Sequence, residues 1–178
     1  MTEHTQTQTQ TSLDSSGLPS ASEFTSSPLR NRIRVDLDAP LSEVWGLMGD
    51  LSRFPEYSVG LERVDAVLDE DGRCVEYTCY FKPFEEGSEG AVSRDVMKWY
   101  EPNRGYLSVE VDGSWGGNAV ALMTLDPIPT GTRLTYDMHF DAEDLAWAKA
   151  HIDEAEMAMA EAVVARFGGT LVERYVEP

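Results

Sequence analysis

Period-two alternation begins abruptly after Arg30: Ile33, Val35 and Leu37 alternate with Arg32, Arg34, Asp36 and Asp38, the pattern of a strand with one buried face. Ala39-Pro40 then opens a short helix, because Leu41, Val44, Trp45 and Met48 share one helical face and proline is accommodated at a helix start. Residues 50–57 continue as a second short helix or turn, since Pro55 does not fit inside a long one. From residue 61 onward strands recur at hairpin spacing: 61–68, 73–82, 91–100, 106–111, 119–125 and 132–140, separated by turns rich in Gly, Pro, Asn and Asp. In the second of these, Val75, Tyr77, Cys79 and Phe81 fall on one parity. The texture changes again at Asp141, which with Asp144 forms an N-cap signal, and Leu145, Ala148, Ile152, Ala155, Met159, Ala162 and Val163 then recur at helical spacing with Glu and Asp opposite. A helix reaching Phe167 would be about 40 Å long. Gly168-Gly169 marks its end, with residues 170–175 resuming some structure. A curved sheet must cover its apolar face, and of these elements only the last helix is long enough to do so, with space left between the two.

Composition divides the chain in two. Residues 1–29 are a Thr/Gln and then Ser-rich stretch that buries too little apolar surface to offset its ordering entropy, so they are expected to be a disordered tail ahead of one domain over 30–178. With 42% hydrophobic residues in 178, that domain can build a core without disulfides or metal. The tail lacks the positive start and apolar run of a secretory signal, and nowhere are there about 18 consecutive apolar residues. A cytoplasmic protein without integral membrane association is the expectation. Cys74 and Cys79, on opposite faces of one strand, are expected to be free thiols that pack. Thirty-two acidic against fourteen basic residues give a net charge of −18, which argues against nucleic acid as a partner and is read as a solubilising surface.

Two segments carry a resemblance. Val35-Asp-Leu-Asp-Ala-Pro-Leu-Ser-Glu-Val-Trp45 followed by Asp50-Leu-Ser-Arg-Phe-Pro-Glu-Tyr57 resembles the opening of the START-like (SRPBCC) superfamily, and Tyr100-Glu-Pro-Asn-Arg-Gly-Tyr-Leu107 and Gly131-Thr-Arg-Leu-Thr-Tyr136 resemble its later turn and last strand. The resemblance implies an α+β helix-grip fold: a curved seven-stranded antiparallel sheet wrapped around a long C-terminal helix, with two short helices after the first strand. It also implies a cavity between sheet and helix for a small hydrophobic ligand, aromatic, polyketide-like or quinone- or lipid-like. The polyketide cyclase/dehydrase branch is the nearest in look, and its chemistry requires neither metal nor nucleotide cofactor. Three readings stay open: a cofactor-independent cyclase/dehydratase, a non-catalytic carrier, and a chaperone-like interaction module. Monomer and homodimer are equally compatible with the sequence.

The candidate ligand-binding residues are Tyr77, Ser93, Trp99, Trp115, Tyr136 and Met138, each weighed against a plain role in the core. Over residues 91–100 one parity carries Ser93, Asp95, Met97 and Trp99, the other Val92, Arg94, Val96, Lys98 and Tyr100. The first is expected to face inward, placing polar groups in an apolar wall, where they need partners or a ligand. Arg94 and Asp95 are the candidate catalytic residues. His139 is expected to face solvent, His151 to sit at a helix surface or rim, and His4 lies in the tail, so no zinc set is expected. The glycine-rich run 113–117 matches no nucleotide fingerprint and is read as a flexible hairpin, with Trp115 as a possible lid.

Overall fold

The structure is a computed structural model that describes residues 11–113 and 118–178. The first strand, β1 (Leu29–Leu37), leads through α1 (Leu41–Met48) and a 3-10 turn (Leu51–Glu56) into β2 (Leu61–Leu68), β3 (Cys74–Phe81), β4 (Val92–Glu101), β5 (Gly105–Gly113), β6 (Val120–Ile128) and β7 (Gly131–His139). The long helix α2 (Leu145–Phe167) and a last strand, β8 (Gly169–Val176), complete the chain. All strands belong to one antiparallel sheet in the order β2-β3-β4-β5-β6-β7-β1-β8. The expected helix-grip architecture is present, with eight strands where the hairpin pattern gave seven. The extra strand is the segment after α2. Gly169 turns the chain back at φ 126°, and a Cβ there would collide with the Asp36 carbonyl oxygen of β1, so only glycine allows so close an approach.

Ile33, Val35 and Leu37 on the inner face of β1 are fully buried and share one core with Val44, Leu47 and Met48 of α1 and Met159 and Val163 of α2. The outer face of the same strand is ionic. Arg32 forks onto its cross-strand partner Asp137 (2.6 Å), Arg133 onto Asp36 (2.7 Å), and Arg34 reaches Glu173 of β8 (2.6 Å). These paired charges let the outer parity stay polar along the full strand.

Bulges alter two side-chain assignments. Between β2 and β3 the register slips at Val67/Leu68, so Val75 is exposed while Cys74 joins Tyr77 and Cys79 on the buried face. The two cysteines therefore do not lie on opposite faces as strict alternation predicts. Both are free thiols, and burial pushes Cys74 up to about 11 and Cys79 higher still. In β4 the register against β5 slips between Met97 and Trp99. Met97 faces the core, Trp99 turns to the outer face, and Tyr100 points inward, where it packs edge-on against Trp45 (5.2 Å) and donates to the Gly49 carbonyl (2.8 Å).

The N-cap of α2 is Asp144, whose carboxylate accepts from the Trp147 amide at 3.0 Å, while Asp141 pairs instead with Arg30. Two acidic residues expected on the solvent side of α2 are buried: Asp153, held by Arg174 of β8, and Glu156. The sheet and β8 together cover more of this helix than one apolar stripe predicts.

The tail reading also departs from the structure over residues 11–28. Ala21 and Phe24 pack on the outer face of the sheet against Trp99, Leu107, Val109, Val120 and Leu122. Thr11 donates to the Lys98 carbonyl (3.0 Å), Arg104 to that of Ser16 (2.8 Å), and the Ser27 carbonyl meets His139 Nδ1 (3.3 Å). The outer face of β5 and β6 is apolar, with Leu107, Val109, Val120 and Leu122, so it needs a cover. Deleting residues 1–28 is therefore expected to cost about 2–3 kcal/mol of folding stability and to increase binding of an apolar dye. Urea denaturation and dye fluorescence check this; an unchanged midpoint would show that the strap contributes nothing.

Candidate ligand cavity

Between the inner face of the sheet and α2 lies a cavity of about 490 Å³. Its walls are mostly apolar, formed by Leu61, Phe81, Ala121, Met138, Phe140 and Met159. The polar groups are concentrated on β3, β4 and β5. Tyr77 on β3 is the cross-strand partner of Asp95 on β4, and Asp95 is in turn the partner of Glu110 on β5, so the three side chains form one row across the sheet. A bulge makes that row possible. The register slips between Arg94/Asp112 and Asp95/Glu110, an extra residue at Val111 that brings the Glu110 carboxyl in line with Asp95. Gly113, next along and paired with Ser93, leaves the room the carboxyl occupies: a Cβ there would run into Glu110 Oε1.

Tyr77 and Glu110 of this row are buried and Asp95 is partly buried, with hydroxyl groups beside them. Ser93 Oγ donates to Asp95 Oδ2 at 3.4 Å, and the Tyr77 hydroxyl shares a hydrogen bond with Ser108 Oγ at 2.8 Å. Burial, followed by the neighbouring Glu110 carboxylate, pushes the Asp95 carboxyl up to about 7, against the opposing pull of the Ser93 and Tyr77 hydroxyls. On the helix side Glu156 is only 4% exposed and also lines the cavity. Burial, with smaller contributions from Asp153 and Asp137, pushes it well above the usual carboxylate range. The mouth is aromatic: His151 stacks on Trp147 (centroids 4.9 Å apart, planes 7° apart) and meets the edge of Phe84 at 4.7 Å. Phe84 and Trp147 are about half exposed.

Of the residues proposed from the sequence, Tyr77, Ser93, Asp95, Tyr136 and Met138 line the cavity together. Arg94 does not. Its side chain is on the outer parity of β4, half exposed and paired with Glu76 (3.2 Å). Trp99 is removed from the inner face by the β4 bulge, and Trp115 lies outside the described residues. His151 is at the rim as expected, whereas His139 is half-buried beneath the N-terminal segment. Glu110 and Glu156 were not singled out by sequence reasoning. The signal for Glu110 was a charge on the parity of Tyr106 and Ser108; for Glu156 it was the i, i+3 spacing to Met159. Among the described residues no group of three His, Cys, Asp or Glu side chains could hold a metal ion, and no helix is long and apolar enough to cross a membrane.

A strongly curved antiparallel sheet closed by a C-terminal helix, with an apolar cavity between them, defines a helix-grip protein of the START-like class. Residues 29–175 match the family described as polyketide cyclase/dehydrase and lipid transport, and the chain belongs to that family. No curated protein sequence matches it. Among solved structures, a START superfamily protein from Mycobacterium smegmatis superposes with a TM-score of 0.66 at 14% identity, covering 79% of this chain and 97% of its own. A Chromobacterium violaceum protein gives 0.60 at 15% identity (78% and 98% covered). The Zhui aromatase/cyclase from a Streptomyces species gives 0.57 at 15% identity (78% and 93% covered). At these identities the likeness is one of fold.

The Asp95 environment makes stability depend on pH. Its carboxyl ionises near 3.8 in the unfolded chain and near 7 in the folded one. The unfolded state therefore loses the proton first, and stability falls as pH rises from about 4 to 7, then levels off. Asp95→Asn is expected to be more stable than wild type at pH 8 by on the order of 3 kcal/mol, and little different at pH 4. Urea denaturation at both pH values checks this; equal stability differences at the two would contradict it.

Proposed function

We propose that this protein takes a small, largely apolar ring-bearing molecule, polyketide-like, aromatic or quinone-like, into the cavity and acts on it as a cofactor-independent cyclase/dehydratase. The observation that carries the reading is the row Tyr77–Asp95–Glu110 inside an apolar wall. A carboxyl balanced near neutrality can both accept and return a proton at physiological pH, which is what acid–base catalysis of an aldol closure or a dehydration asks of it. In dehydration, ionised Asp95 takes the proton from the carbon next to a substrate carbonyl. The Glu110 carboxyl, when protonated, or the Tyr77 hydroxyl gives a proton to the departing hydroxyl, which leaves as water. The base then carries the proton that was on carbon, the acid has lost one, and exchange with solvent restores both. Apolar walls exclude bulk water and fold the substrate chain, so positioning supplies the rest of the rate.

The cavity volume of about 490 Å³ is in the range of small-molecule sites. Membership of a family that also includes lipid transport supports a second reading, a carrier that holds the same kind of molecule without changing it. The two readings differ at Asp95.

Native and denaturing mass spectrometry of freshly purified protein is expected to reveal a co-purified apolar compound, which then serves as the lead for a turnover assay. Asp95→Asn is expected to lower turnover about 10²–10⁴-fold while leaving ligand affinity within a few-fold. Unchanged turnover would remove Asp95 from the chemistry, and stoichiometric binding with no product would establish the carrier.

A further inference from the structure

The acid–base reading uses only the sheet side of the cavity and leaves Glu156 on α2 without a role. This side chain is buried to within 4%, and neither of its carboxyl oxygens has a hydrogen-bond partner among the described residues. It stands on the cavity wall one helical turn before Met159 and one after Ile152, positions at which an apolar side chain would fit. A buried carboxyl without partners is costly to the fold. Its neighbour Asp153 is engaged by Arg174, whose guanidinium forks onto that carboxylate and not onto Glu156.

The cavity is also lopsided in charge. The acidic groups set into its walls are the buried Glu110 and the partly buried Asp95 from the sheet and the buried Glu156 from the helix. Among the described lining residues the cationic candidates are Lys82, which is exposed at the mouth, and His151, which is stacked against Trp147. A ligand whose polar end is a carboxylate or phosphate would thus leave water without meeting a buried cation on either wall, and would face carboxyl oxygens that can only accept unless protonated. A ligand with hydrogen-bond donors would meet acceptors on both.

We infer that the ligand is a ring compound carrying hydrogen-bond donors, hydroxyl or protonated amine, gripped by Glu156 from the helix and by Asp95 and Glu110 from the sheet, and that the cavity rejects ring compounds ending in carboxylate or phosphate. This rests on the reading that the cavity takes a ring-bearing molecule, and it specifies the chemistry of that molecule's polar groups. Glu156 is then a ligand-binding residue that selects among apolar compounds of equal size.

The test compares four naphthalene probes of similar size: 2-naphthol, 2-naphthylmethylamine, 2-naphthoate and 2-methylnaphthalene. Binding is followed by fluorescence titration at pH 7 to wild type, Glu156→Leu, Glu156→Gln and, as a control on the exposed side of α2, Glu161→Leu. Naphthol and the amine are expected to bind at least about tenfold more tightly than naphthoate. Glu156→Leu is expected to reduce that preference about tenfold without weakening methylnaphthalene, and Glu161→Leu to change nothing. Glu156→Gln, nearly isosteric, is expected to keep naphthol and lose the advantage of the amine; it stands in if thermal denaturation shows that the Leu variant does not fold. Naphthoate binding as tightly as naphthol, or a donor preference untouched in both Glu156 variants, would overturn the inference and leave the cavity reading intact. Failure of every probe, methylnaphthalene included, would overturn both.

Discussion

Asp95 can stand in the inner face of this sheet only because three strands converge on it. Tyr77 and Glu110 flank it across the sheet and Ser93 lies beside it on the same strand; burial and the Glu110 carboxylate push its carboxyl toward the neutral form, the Ser93 and Tyr77 hydroxyls pull the other way, and it comes to rest at about 7. Removing water from a carboxyl costs several kcal/mol, and placing a second carboxyl next to it raises that cost. The rest of the fold answers to this constraint. Bulged strands supply the alignment, Gly113 the space, and the apolar walls the low dielectric that keeps the pair coupled.

The same bulges bend the sheet, and a bent sheet cannot lie flush on a straight helix. About 490 Å³ therefore stays open beneath α2, while each end of the helix is fixed independently. Asp144 caps the start. Gly168 and Gly169 reverse the chain at the other end so that β8 can pair with β1 and bring Arg174 onto Asp153. The helix is thus anchored along its β8 side and free to present Glu156 and Met159 to the cavity. On the far face, Ala21 and Phe24 cover an apolar patch that α2 does not reach.

Much of this was legible in the sequence. Clean alternation in Ile33, Val35 and Leu37, hairpin turns at regular spacing and one long helical period lead to a sheet gripping a helix, and the parity of Ser93 and Asp95 leads to the cavity wall. What was not legible has a common physical origin. Period-two counting holds only until a bulge, so Trp99 and Cys74 were assigned to the wrong face once the register had slipped. A helical wheel assumes one covered stripe, and Asp153 and Glu156 fall outside it because β8 and the curved sheet enclose the helix further than a flat sheet would. Arg94 was named with Asp95 as a candidate catalytic residue, but it lies on the opposite parity of β4 and its partner is Glu76 on the outer face. The Ser-rich segment before β1 reads as disorder by composition; the apolar surface it covers belongs to strands more than 80 residues away, as the contact of Thr11 with Lys98 shows.

The ionisation of Asp95 itself is the most direct measure of this account. Carboxyl carbon chemical shifts followed from pH 3 to 10, with Asp95 assigned by its loss in Asp95→Asn, are predicted to show a midpoint near 7 that moves down when Glu110 is replaced by Gln. A midpoint near 4, unaffected at Glu110, would mean that Asp95 is an ordinary solvated carboxylate and that the cavity holds no acid balanced for proton transfer.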